Sequence, residues 1–318
     1  MIRVLSLLAG LTLLIVVIVW QGPREILALT LQVGWGIVPV AFVYGAYQAV
    51  RAAALRRCFP PARTLGYWRT FAIRLTGEAV QFLTATGPLL GEPTKAWMLT
   101  RSGLTAAEGL AATITEYLVN LLLGALLLAG ASAYLLQSVA LGPALATTAR
   151  VLVGVSVAFV LVAAVAIGRR IYLIGAVLRG FGALPVVGTR LRLEHGAVRR
   201  FEDHLLAVLR DAPGRLVSII GLEALAHALL VVELAWILTL SGLSFSLERA
   251  LVIEGAAKFT SLAFFFIPAQ VGAAEGVLAA VAQTVGLAGS VGVAAALVRR
   301  IRSLVVSAIG LAVLSRLK

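Results

Sequence analysis

Residues 75–95 read LTGEAVQFLTATGPLLGEPTK, and this stretch decides the fold. It starts like a membrane helix and does not finish as one. Leu75–Leu90 is apolar, but its length falls short of the about 20 residues that cross a bilayer. Glu78, Gln81, Thr84 and Thr86 lie inside it, and Gly87, Pro88, Gly91 and Pro93 punctuate its end. Glycine frees the backbone to turn, and proline removes a donor from the helical ladder. Arg74 stands before the stretch, and Lys95 and Arg101 follow it, so both ends face one basic side. A re-entrant segment over residues 71–97 meets both constraints. Non-helical backbone at membrane depth is tolerated where it lines a cavity.

A second interrupted stretch covers residues 250–285. Ala250–Ile267 is apolar yet holds Glu254 and Lys258, Pro268–Gly272 breaks it, and Ala273–Val285 resumes with Glu275 near its start. It follows a loop on the other side, so it enters in the opposite sense. Two broken segments of opposite sense are the mark of an inverted repeat, with the substrate site at the breaks.

Composition agrees with a lipid solvent. Of 318 residues 61% are hydrophobic and 13% charged, with a mean hydropathy of +1.02. A soluble domain carries about 45–50% apolar and about 25% charged residues. A cytosolic enzyme, a secreted disulfide scaffold and a disordered chain are excluded. The remaining spans are Val4–Trp20, Leu31–Val50, Glu108–Leu136, Arg150–Gly168, Leu216–Leu240 and Val291–Leu314. Gln21-Gly22-Pro23-Arg24 offers no small-x-small cleavage site, so the first span stays as a helix. The reading is a single all-α polytopic membrane domain over 1–318, with about six to eight membrane helices.

The net charge of +13 is mostly topology. Residues 51–74 hold six arginines and no acid, and 169–215 hold nine arginines. The stretches 21–30, 137–149 and 241–249 hold only Arg24 and Arg249. The positive-inside rule places the two basic loops and both termini in the cytoplasm. Within 169–215, Thr189–Asp211 mixes Leu191, Val198, Phe201, Leu205 and Leu209 with Arg192, Arg199, Arg200 and Arg210. That pattern fits an amphipathic helix at the interface.

A second population of charges lies at membrane depth: Glu78, Glu92, Lys95, Glu116, Glu223, Glu233, Glu254, Lys258, Glu275, Arg299, Arg300 and Arg302. Each costs roughly 2.5–3.5 kcal/mol at the bilayer centre unless it is paired or faces a polar cavity. Glu254 and Lys258 are spaced for a structural ion pair on one helix face, and Glu223 and His227 share that spacing. Gly91-Glu92-Pro93-Thr94-Lys95 reads as a helix start aimed at a cavity, which is an anion site. Glu116 needs a cation, and Arg299 and Arg300 are the expected partners. In the alternative, the last span ends at Val298 and Ser303–Leu314 lies on the membrane surface. The chain has one cysteine, Cys58, and three histidines, so no metal site or disulfide is expected. No catalytic constellation and no cofactor motif stands out. The basic residues flank apolar spans instead of forming a nucleic-acid-binding module.

Two motifs carry a family resemblance. Gly91-Glu92-Pro93-Thr94-Lys95-Ala96-Trp97, then Arg101–Thr105, then Ala111–Asn120 with Glu116, resembles the first signature of the flippase-like family, the transmembrane region of bacterial lysylphosphatidylglycerol synthases. Ile267–Gly276, with Pro268, Gly272 and Glu275, resembles the second, and the last span with Arg299 or Arg300 resembles the final helix. The resemblance implies a stand-alone inner-membrane lipid translocator. The resemblance is to the membrane region alone, so a stand-alone form without the soluble aminoacyltransferase domain is expected, and Tyr117 stands where many relatives carry Arg. It further implies a substrate-handling set of Gly91, Glu92, Lys95, Glu116, Glu275, Arg299 and Arg300. No enzymatic activity is expected; the partners expected are a membrane lipid and a lipid-biosynthesis enzyme. The rival reading is a non-transporting accessory subunit of a lipid- or glycan-modifying enzyme.

Overall fold

A computed structural model describes residues 2–84, 87–169, 171 and 195–316. Among the described residues every regular element is helical. Four helical runs, Pro23–Arg57, Ala106–Ser138, Pro143–Gly168 and Pro213–Leu240, are long and apolar enough to cross a membrane. Only 11% of the most apolar window of Pro143–Gly168 is buried, so its surface is built for lipid.

The chain begins with α1 (Ile2–Gln21) and α2 (Pro23–Val33). A short turn, Gly34–Gly36, leads into α3 (Ile37–Arg57). Helix α4 (Tyr67–Leu83) and α5 (Pro88–Thr100) form the first broken segment. Then come α6 (Ala106–Ser138), α7 (Pro143–Gly168) and α8 (His195–Leu209). The second half holds α9 (Pro213–Leu240), α10 (Leu247–Ala263), α11 (Ala273–Thr284) and α12 (Gly289–Arg316). Thr105 starts α6 with a capping box. Its Oγ1 accepts from the Glu108 amide at 3.2 Å, and Glu108 Oε2 accepts from the Thr105 amide at 2.7 Å.

Several expected boundaries move. The crossing assigned to Leu31–Val50 is α3 alone, about 31 Å long at 1.5 Å per residue. Helix α2 lies along the end of the bundle away from the arginine-rich loops. Its Glu25 accepts from Ser290 at 2.8 Å at the start of α12, and its Gln32 lies beside Gly242, just past the end of α9. Trp20 and Trp35, 87% and 90% exposed, mark the same level, as aromatic residues do at a membrane interface. The basic loop 51–74 shrinks to 58–66, because Arg51 belongs to α3 and Arg74 to α4. The chain turns back at residues 84–87, so Pro93 sits inside α5 and Glu92 a full turn past its start. Helix α12 runs unbroken through Arg299, Arg300 and Arg302, which removes the alternative ending at Val298. Of the expected amphipathic helix, the described part is α8. Arg170, Arg179, Arg190 and Arg192 lie outside the described residues.

The packing repeats itself. Helix α4 packs on α5 and α5 on α6, as α10 packs on α11 and α11 on α12. Helix α3 packs on α4 as α9 packs on α10, and α4 rests on α12 as α10 rests on α6. Helices α3 and α9 pack on each other at the centre. The units α3–α6 and α9–α12 therefore have matching neighbours, and the hairpins open toward opposite ends. Glycines permit the closest approaches. A Cβ on Gly292 would stand 2.3 Å from the Leu278 carbonyl oxygen, and one on Gly310 2.4 Å from that of Leu75.

Two predictions follow from this packing. Gly292→Ala and Gly310→Ala should each destabilise the protein by about 1–3 kcal/mol, because backbone must move. Gly130→Ala and Gly154→Ala, which open onto free space inside helices, should keep or raise the thermal midpoint in detergent. Cys58 is buried at the end of α3, and burial pushes its thiol well above the ordinary value. Its thiolate is therefore scarce at neutral pH, and a maleimide should label it only after unfolding.

Candidate functional site

The two breaks meet inside the bundle. Gly87 has φ +46, a left-handed value natural for glycine, and a Cβ there would lie 3.6 Å from the Phe265 carbonyl oxygen in the second break. The second break is the more strained. Ala269 and Gln270 hold φ of 48 and 54, which costs non-glycine residues roughly 1–2 kcal/mol each. Arg300 fastens it: Nη1 donates to the Ala269 carbonyl at 3.1 Å and Nε to Glu275 Oε1 at 3.1 Å. Glu275 in turn accepts from the Gly272 amide at 2.8 Å, closing the start of α11.

Behind the first break lies a cluster centred on Glu116 of α6, which is 0% exposed. Arg51 Nη2 approaches it at 2.7 Å, Arg74 Nη1 at 2.9 Å and Lys95 Nζ at 3.6 Å. Lys95 also pairs with Glu92 at 2.7 Å, and Arg51 Nε reaches Glu223 of α9 at 3.2 Å. Asn120 Nδ2 donates to Glu223 at 2.8 Å. Behind the second break, Arg302 grips Glu233 through Nε at 2.6 Å and Nη2 at 3.0 Å, the bidentate geometry that suits arginine. Arg299 bridges Glu233 at 3.2 Å and Glu254 at 2.6 Å, and Lys258 lies 2.9 Å from Glu254. Tyr44 joins the clusters. Its hydroxyl donates to Glu78 at 2.8 Å, and the Arg302 guanidinium carbon sits 3.4 Å above its ring centre.

A cavity of about 300 Å³ lies between these clusters and both breaks. Arg51, Lys258, Arg299, Arg300 and Arg302 line it, against the single carboxylate Glu78. Phe82, Leu262 and Phe265 form part of the same wall, and Phe265 is also 45% exposed on the outer surface. The wall thus joins a cationic interior to an apolar exterior. Among the described residues, no group of three or more His, Cys, Asp or Glu is arranged to hold a metal ion.

The structure sorts the sequence-derived residues into two layers. Arg299 and Arg300 face the cavity. Glu92, Lys95, Glu116 and Glu275 stand in the ion pairs given above, outside the cavity wall. Gly91 closes the first hairpin, where a Cβ would meet Gln81 Cβ at 2.8 Å. The pairing expected between Glu116 and Arg299 or Arg300 does not form. Glu116 takes Arg51, Arg74 and Lys95, because α3 and α4 bring those cations to its level. Glu223 and His227 meet through Asn120 of α6, whose carbonyl lies 3.1 Å from His227 Nε2. Arg51 and Arg74 were missed as site residues. The available signal was Tyr44, Tyr47 and Arg51 on one helical face, with Arg74 four residues before Glu78.

The profile of one family, the lysylphosphatidylglycerol synthase TM region, matches residues 7–310. The chain belongs to that family, whose members are membrane domains linked to lipid modification or flipping, and it is a multi-pass membrane protein. No curated protein and no solved structure matches it.

Glu233→Gln should cost about 3–5 kcal/mol, because it leaves the buried Arg302 guanidinium without its counter-charge. Arg63→Ala, which removes an exposed pair with Glu108, should cost no more than about 1 kcal/mol. Denaturation of the purified protein in mixed micelles compares the two.

Proposed function

We propose that this member of the lysylphosphatidylglycerol synthase TM-region family moves a polar-headgroup phospholipid, or a related lipid, between the leaflets of the bacterial inner membrane. The observation that carries this reading is the cavity between the two breaks, walled by five cations and one carboxylate. A phosphate headgroup is the ligand such a wall attracts, and a site shielded from water strengthens each contact. The acyl chains remain in lipid beside Phe265 and Phe266, 45% and 52% exposed. Matched helical units that open toward opposite ends supply the means of alternating access.

In this reading the protein carries lipid and catalyses no covalent step. Its partners are the membrane lipid itself and the enzyme that makes that lipid. Both termini face the cytoplasm, supported by the arginines at 56, 57, 63, 69 and 101, which cluster at one end of the bundle.

Purified protein in liposomes, with a fluorescent phosphatidylglycerol on one leaflet and a membrane-impermeant quencher outside, tests the proposal. Wild type should equilibrate the probe across the bilayer. Lys258→Gln removes one charge-assisted contact of about 1.5–3 kcal/mol and should slow exchange about tenfold or more. Folded protein that moves no lipid from a panel of anionic, zwitterionic and cationic headgroups sinks the reading.

A further inference from the structure

Glu223 is the buried carboxylate that headgroup binding leaves without a role. It is 0% exposed, as is Glu116, and the two lean on one guanidinium, that of Arg51. The surrounding count sharpens the shortage. Arg51, Arg74 and Lys95 serve Glu78, Glu92, Glu116 and Glu223, so four carboxylates share three cations. A carboxylate without a full counter-charge in apolar surroundings takes up a proton in preference to staying ionised. Neighbouring carboxyls of this kind titrate as a pair and hold one proton between them.

The other elements packed around Glu223 do not make up the deficit. Helix α3 adds Tyr47, which accepts from Arg51 at 2.9 Å, and α4 adds Arg74 and Glu78. Helix α6 adds Tyr117 and Asn120, both neutral. Arg299 and Arg302 on α12 and Lys258 on α10 share Glu233 and Glu254 and make no ion pair with Glu223, so the surplus cation there lies across the cavity from the pair. Helices α8 and α2 also touch α9; α8 carries Arg199, Arg200, Glu202, Asp203 and His204, and α2 carries Arg24 and Glu25.

Groups that line the cavity stand beside the pair. His227, one helical turn from Glu223, lines the cavity and is 5% exposed. Its Nε2 faces the Asn120 carbonyl at 3.1 Å, and its Nδ1 is buried without a partner. The same Asn120 donates to Glu223. Arg51, on the far side of the pair, also faces the cavity.

We propose that the Glu116–Glu223 pair binds one exchangeable proton from the cavity, and that this proton travels with an anionic headgroup. The proton comes from hydronium in cavity water, forms one carboxyl O–H bond and returns to water on release. With it bound, three cations face three carboxylates, and the surplus negative charge beside Arg51 that would repel a phosphate is gone. Without it, the surplus negative charge beside Arg51 repels one. Binding linkage is reciprocal, so the headgroup also holds the proton. The coupling to a headgroup rests on the translocator reading; the proton site itself does not.

Infrared difference spectra of the full chain in detergent, taken between mildly alkaline and mildly acidic pH, read the proton directly. Wild type should gain a protonated-carboxyl band that Glu223→Gln lacks. Calorimetric titration of wild type with short-chain phosphatidylglycerol, repeated in buffers of different ionisation enthalpy, should report about one proton taken up per headgroup bound. Affinity should rise about tenfold on acidification in wild type and stay flat in Glu223→Gln. Zero proton uptake, or the same pH response in both proteins, overturns the proposal, and the uptake measurement needs no variant. A carboxyl band that vanishes in Glu223→Gln, alongside no lipid movement at all, upholds the proton site and rejects the translocator.

Discussion

Charge neutrality inside a low-dielectric bundle is the constraint on which the rest of this structure depends. Among the described residues, seven cations, Arg51, Arg74, Lys95, Lys258, Arg299, Arg300 and Arg302, form ion pairs around the two breaks with seven carboxylates, Glu78, Glu92, Glu116, Glu223, Glu233, Glu254 and Glu275. Each would be costly alone. Together they dictate which helices must neighbour which: α3 and α4 have to bring arginines to α6, and α12 has to bring arginines to α9, α10 and α11. The glycine contacts that let α11 touch α12 and α12 touch α4 serve the same end, since no ion pair forms across a gap.

The distribution is lopsided in a way that follows the repeat. The cluster around Glu116 has the extra carboxylate, and the cluster around Glu233 and Glu254 has the extra cation. The cavity lies between them and presents mainly the cationic side. An anionic guest therefore meets cations that are already partnered, so its binding exchanges one counter-ion for another. In the proposed translocator such exchange would permit release, because a cavity of unpaired cations would hold a phosphate too tightly to let it go.

Much of the fold was legible in the sequence because its causes are local. Long apolar runs, the capping box at Thr105–Glu108 and the prolines near both breaks act over a few residues. The opposite sense of the two breaks was legible from arginine placement. The ion-pair partners were not, because they depend on how distant helices stack. Arg51 and Arg74 were counted as loop charges, since they sit at the edges of apolar runs where basic residues usually mark topology. A charge balance would have exposed them: the acids recognised at membrane depth outnumbered the cations by two. Helix α2 was legible in position but not in form: 21–30 reads as a stretch on the side away from the basic loops, and the contacts of Glu25 and Gln32 with the ends of α12 and α9 show a helix there.

Tyr44 has a consequence of its own. The ring separates Arg302 from Glu78 while touching both, by its face and by its hydroxyl. An acid in its place would fuse the two ionic clusters into one rigid lattice, and an aliphatic residue would insulate them. A phenol does neither: it transmits the field of one cluster to the other, yet lets either be re-partnered without breaking a bond in its neighbour. It is a joint in the ionic framework, set at the contact between α3 and α12.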